Sequence, residues 1–153
     1  MRIPGLGRLM RIQGESMSPS LHDGQLVLVK DGAYSYRTPQ RGEMVAARPA
    51  SLGGKAVIKR VIGLPHEVVH IGSKEWCLAE EDFFIVGDQA DDSLDSRSFG
   101  PVRRDELVGS VWFWPWERID KNFAKRNFPG DLADSRFDGD ARLSQHSAPT
   151  KEL

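Results

Sequence analysis

Apolar residues come in short runs set off by Gly, Pro and Asp, a pattern of short β-strands rather than long helices. Gln25-Leu26-Val27-Leu28-Val29 follows a turn signal at Asp23-Gly24, and the spacing predicts a strand over 26–30. A second strand is expected at Met44–Arg48, after the Arg41-Gly42-Glu43 turn, and a third over Lys55–Leu64. Side chains alternate along a strand, so Val57, Lys59 and Val61 share one face of the third while Ile58, Arg60 and Ile62 share the other. Arg60 is unremarkable on a partly solvated sheet. Lys59 is different, because apolar residues surround it along the chain on both faces. Glu67–Ile71, Gly72-Ser73 and Trp76–Leu78 read as a hairpin, and Phe83–Val86 as a further strand ending in Gly87-Asp88. A polar loop spans Gln89–Ser98, one helical turn is expected near Arg103–Glu106, and a last strand runs from Leu107 to Pro115. Between the first two strands, Asp31–Gln40 reads as a loop with Tyr34 and Tyr36 packing at its edges.

The chain has 153 residues, enough for one domain with a real core. Residues 1–11 form a lead-in, with Ile3, Leu6 and Leu9, and Ile12 just beyond, set against the core. A weak contact with a membrane surface is also compatible with them. The principal domain spans 12–119. From 120 to 153 the composition turns polar, predicting a flexible tail with a short helix at most. A net charge of −1 argues against a nucleic-acid partner. The single cysteine, Cys77, excludes an internal disulfide and any multi-cysteine metal site. No window approaches the roughly 20 apolar residues that a membrane-crossing helix needs, and the expected location is cytoplasmic.

Gly14-Glu15-Ser16-Met17-Ser18-Pro19-Ser20-Leu21 is the stretch that raises chemistry. Gly14 and Pro19 prescribe a sharp local shape, so Ser16 sits on a constrained turn feeding the first strand. A serine hydroxyl needs a base to become a nucleophile. His22 is too close along the turn, His66 and His70 flank the hairpin, and His146 is in the tail. A neutral lysine can serve instead, and burial among apolar neighbours such as those of Lys59 favours the neutral form.

Gly-Glu-Ser16-Met-Ser-Pro-Ser-Leu, Lys59-Arg60-Val-Ile-Gly-Leu-Pro65 and Gly87-Asp88-Gln-Ala-Asp-Asp-Ser93-Leu-Asp95-Ser96-Arg97-Ser-Phe-Gly100 resemble three successive boxes of the type I signal peptidase family. Arg41-Gly42-Glu43-Met44-Val45-Ala46 resembles a fourth, and the likeness runs from about residue 12 to 115. The resemblance implies a mainly β fold of short, mostly antiparallel strands, of the kind shared by signal peptidases and SOS repressors. It implies a serine endopeptidase in which Ser16 is the nucleophile and Lys59 the general base. Ser93 would orient the lysine, Asp95 and Arg97 would support the loop as a charged pair, and Asp88 would organise it. The oxyanion would meet the backbone N–H of Ser16, since Gly14 occupies the place from which some members supply a hydroxyl. Met17 and Pro19 would border the substrate groove. No cofactor or metal is implied, and Asp91, Asp92 and Asp95 read as a solvated acidic loop.

The sequence departs from the larger bacterial members in two respects. Only a hairpin fits between Lys59 and Gly87, where those enzymes insert a second domain, and Gln89-Ala90 stand where Asn and often Arg are usual. The expected partner is a protein with a cleavable N-terminal leader, and the small size resembles a group that matures nickel-type superoxide dismutase. The alternatives are a membrane-associated peptidase for exported preproteins, a self-cleaving regulator like the SOS repressors, and a non-catalytic peptide-binding module. Trp112, Trp114 and Trp116 could line a membrane edge or a substrate platform, or simply pack the last strand.

Overall fold

A computed structural model describes residues 2–3 and 7–112. Its strands are β1 (Arg2–Ile3), β2 (Gly7–Arg11), β3 (Leu26–Asp31), β4 (Met44–Ala47), β5 (Val57–Gly63), β6 (Val68–Ile71), β7 (Lys74–Cys77), β8 (Asp82–Val86), β9 (Val102–Arg103) and β10 (Leu107–Trp112). A single four-residue helix, α1 (Ser96–Phe99), and several 3₁₀ turns complete the described residues. Eight strands form one sheet in the order β1-β2-β3-β10-β4-β5-β8-β9, and β6 pairs with β7 alone. Every pairing is antiparallel. The expected mainly β fold is what the chain adopts.

Strand alternation divides the core in two. On β4, Val45 and Ala47 join one apolar cluster with Val61, Phe83, Ile85 and Val102, while Ala46 joins another with Ile12, Val27, Val29 and Ile58. Burying a side chain of this size stabilises by about 1.5–3 kcal/mol, so both clusters hold the sheet against its conformational entropy. Strand β5 carries the functional argument, with Lys59 opposite Val45 on β4 and Val61 opposite Ile85 on β8.

Several features differ from the sequence-based expectation. Gly7–Arg11, read as part of a lead-in, is a strand laid against β3, with Leu9 opposite Leu28. Its Arg-Leu-Met-Arg order lacks the polar–apolar alternation that marks a strand, and all five residues of the strand are half-buried. Tyr34 is buried as expected, but Tyr36 is exposed, its ring 5.8 Å from the Lys30 ammonium. The loop after β8 is not wholly irregular, because Asp95 caps α1 by accepting from the Arg97 N–H. The turn expected near Arg103–Glu106 is a 3₁₀ turn at Arg104–Glu106. The 120–153 tail, His146, Leu6, Trp114, Trp116 and the end of the last strand beyond Trp112 lie outside the described residues.

Candidate active site

The serine turn is built by closing a short loop between two core anchors. Ile12 and Gln25 pair through Ile12 N–H to Gln25 O at 2.8 Å, and Gly24 N–H returns to Ile12 O at 2.8 Å. Gly14 and Gly24 take φ of 79° and 77°, angles that a side chain would resist. Within the loop Leu21 N–H bonds Met17 O at 2.9 Å, and both of these side chains sink into the core. The anchoring of Met17 and Leu21 leaves Ser16 half-buried at the rim.

Lys59 reaches this rim from the middle of β5. Its Nζ lies 2.6 Å from Ser16 Oγ, although the two residues are 43 positions apart. The lysine is only 4 % exposed, so its amine sits where water cannot fully hydrate a charge. A hydroxyl and a buried amine at hydrogen-bond distance form a nucleophile–base arrangement.

A second set of contacts ties the turn to the rest of the site. Ser20 Oγ donates to Asp88 Oδ2 at 2.5 Å, and Arg60 grips both oxygens of the same carboxylate at 2.8 and 2.7 Å. Arg60 holds the Asp88 carboxyl below the usual range, against the opposing effect of burial. The Arg60 guanidinium also donates to Gly42 O at 2.7 Å, linking the Arg41-Gly42-Glu43 turn to the same network. Sequence reasoning treated Arg60 as an ordinary solvated arginine and passed over Ser20. Both lie inside the family-like boxes, but their meeting at Asp88 left no trace in sequence because that partner is a remote loop residue.

The loop after β8 is organised on Asp95, which is fully buried. Its carboxylate accepts from Gly87 N–H at 2.7 Å, Ser93 Oγ at 2.5 Å, Arg97 N–H at 3.0 Å, and Arg97 Nε and Nη2 at 3.0 and 2.6 Å. Burial alone would push this carboxyl up, but Arg97, Ser93 and the two backbone N–H groups outweigh it and hold it below the usual range. Gln89 N–H donates to Ser16 O at 2.9 Å, which seats the loop on the serine turn.

Gly87 lies at that junction. A Cβ there would stand 2.2 Å from Ser93 Oγ and 2.5 Å from Ser16 O. Gly87→Ala is therefore expected to push the serine turn off the loop and lower turnover about 100-fold. Steady-state kinetics on a cleavable precursor would check this, and unchanged turnover would show that the contact can relax.

The family model described as "Signal peptidase, peptidase S26" matches residues 6–81 and 70–116. The chain belongs to the signal peptidase family. It is a serine endopeptidase of that family, with the fold expected from its sequence. The mitochondrial ATP-independent inner membrane protease subunit 1b of Arabidopsis thaliana is 31% identical over 73% of this chain and 73% of its own length. Signal peptidase I of Leptolyngbya laminosa is 30% identical over 71% of this chain and 69% of its own. Among solved structures, a signal peptidase I from Enterococcus faecalis V583 superposes with a TM-score of 0.43, at 22% identity, covering 50% of this chain and 98% of that one.

For this peptidase the structure brings Ser16, Lys59 and Asp88 into one neighbourhood, with Ser93, Asp95 and Arg97 on the adjoining loop. Met17 is corrected: assigned to the groove from sequence, it is 1 % exposed and packed in the core, whereas Pro19 is exposed. An apolar side chain beside a reactive serine reads equally as groove wall or core anchor, and Met17 is the anchor. Among the described residues no cluster of acidic, histidine and cysteine side chains could hold a metal. Some of the relatives are named for an inner membrane. No helix among the described residues is long and apolar enough to cross one.

Proposed function

We propose that Ser16 and Lys59 are the catalytic dyad of this peptidase and that it removes an N-terminal leader from a protein substrate. The observation that carries the reading is the 2.6 Å approach of a buried lysine amine to Ser16 Oγ. Neutral Lys59 takes the Ser16 proton as Oγ attacks the scissile carbonyl. The proton passes to the departing amine as the peptide bond breaks, leaving an acyl-enzyme. Lys59 then deprotonates water, which releases the acyl group and restores Ser16.

The supporting roles follow from the donors in place. The developing oxyanion meets the backbone N–H of Ser16, as the family resemblance implies, and Gly14 brings no side-chain hydroxyl to assist. Ser93 Oγ–H donates to Asp95, so its oxygen keeps lone pairs that can accept from Lys59 and steer it. Asp95 and Arg97 hold that loop, Asp88 and Arg60 clamp it to the turn, and Pro19 borders the groove.

The candidate substrate is the precursor of a nickel superoxide dismutase, because the Asp92-Ser93-Leu94-Asp95-Ser96-Arg97 loop resembles that of the proteases that mature it. Co-expression of the wild-type chain with that precursor, beside a secreted preprotein, followed by intact-mass measurement, tests the assignment. Leader loss from the dismutase precursor supports it. Cleavage of the preprotein alone replaces the substrate with exported proteins.

Because the base works as a neutral amine, turnover is expected to rise as Lys59 loses its proton. A kcat profile that stays flat between about pH 6 and pH 9, with chemistry rate-limiting, would contradict lysine as the base.

A further inference from the structure

The serine turn is clasped by its own acidic residues in a way that the catalytic reading does not use. Asp23 Oδ1 accepts the Gly14 N–H at 2.8 Å, and Glu15 Oε1 accepts the Asp23 N–H at 3.2 Å. The two side chains thus answer each other across the neck of the loop. Their bonds continue the backbone ladder of Ile12, Gly24 and Gln25 past the point where main-chain pairing stops. One bond falls two residues before Ser16 and the other joins the residue next to it.

Gly14 is the weak point of this turn. Its φ of 79° lies in the left-handed region, and nothing stands within 4 Å of where a Cβ would sit. No side-chain packing therefore holds Gly14 in place, and glycine itself has the widest choice of backbone angles. The far side of the turn is fixed differently, by Met17 and Leu21 in the core and by Gln89 on Ser16 O. Only the approach to Ser16 from the N-terminal side depends on the Asp23 bond.

We propose that Asp23 is a positioning residue that sets the angle of Ser16 toward Lys59 by fixing the Gly14 N–H, with Glu15 holding Asp23 in turn. This rests on Ser16 being the nucleophile. A small misplacement of a reacting atom lowers the rate of the chemical step and leaves ground-state binding nearly intact. The clasp therefore belongs to kcat and not to KM.

The test compares Asp23→Ala with Asp23→Asn, which keeps an oxygen acceptor for the Gly14 N–H. On the precursor that the wild-type chain cleaves, Asp23→Ala is expected to lower kcat about tenfold with KM within about twofold, and Asp23→Asn to recover most of the loss. Hydrogen exchange at the Gly14 amide, which needs no substrate, is expected to quicken about tenfold in the alanine variant and little in the asparagine one. Wild-type kcat in Asp23→Ala, equal losses in both variants, or unchanged Gly14 exchange would overturn the proposal. If Asp23→Ala fails to fold, Asp23→Glu keeps the charge and displaces the acceptor, and wild-type kcat there would overturn it as well. Ser16→Ala runs alongside: cleavage by that variant sinks the nucleophile assignment, whereas wild-type kcat in Asp23→Ala beside a dead Ser16→Ala sinks only the clasp.

Discussion

Ser16→Ala and Lys59→Ala are each expected to lower kcat by about 10⁴-fold or more while leaving the fold in place. The two losses should not add. Without Lys59 the hydroxyl keeps its proton, and without Ser16 the amine has nothing to activate, so the double variant should be no slower than either single one. The structure gives a reason to expect Lys59→Ala to fold, since removing the long side chain also removes the cost of burying an amine. Intact-mass kinetics on a leader-bearing precursor, with circular dichroism as the control for folding, measures both. A Lys59→Ala form that still cleaves at a tenth of the wild-type rate would mean another base is at work.

Asp95→Ala is expected to be the most damaging change away from the dyad, destabilising the chain by about 3 kcal/mol, with loss of activity. It would strip the partner from Arg97 and from the Gly87 and Arg97 N–H groups in one step. Asp95→Asn keeps two acceptor lone pairs and should lie between. The pH dependence has a definite sign. The folded Asp95 carboxyl is held below its usual value, so its contribution is complete above the unfolded value of about 3.9 and fades as pH falls through the lower folded value. Urea unfolding of the wild-type chain should therefore show a stability plateau above about pH 5 and a decline below about pH 4, shallower in Asp95→Asn. A cost under about 1 kcal/mol for Asp95→Ala would show that the loop is held by something else.

How much of this was legible beforehand depended on how local the cause was. The strands at 26–31, 44–47, 57–63 and 82–86 announced themselves because their apolar runs are short and bounded by turns. Lys59 stood out because a charge inside such a run needs a reason. Strand β2 escaped notice, since its arginines keep contact with water and its partner lies across the serine turn. The shape of the turn at 14–24 was readable from its glycines and proline, but its fastening to Asp88 through Ser20 was not. That contact joins residues 68 positions apart, and pairwise polar contacts of such separation leave no periodic trace. Met17 was misplaced for a related reason: sequence tells how apolar a position is, and only packing tells which way it faces.

The chain leaves the sheet for the β6–β7 hairpin after Gly63 and rejoins it at Asp82, with Gly63 paired to Phe84. That pairing closes β5 and β8 directly beneath the excursion. A Cβ on Gly63 would strike Val69, Leu78 and Phe84, which shows how tightly the hairpin's foot is gathered there. Lys59 lies four residues back along β5, where its place is set by the pairing with Val45 on β4. Lengthening the excursion adds loop-closure entropy only slowly, about 0.6 kcal/mol for each doubling. The tip at Gly72-Ser73 is thus a grafting point, where a reporter or a substrate-recruiting module can be spliced in without retuning the chemistry beneath it.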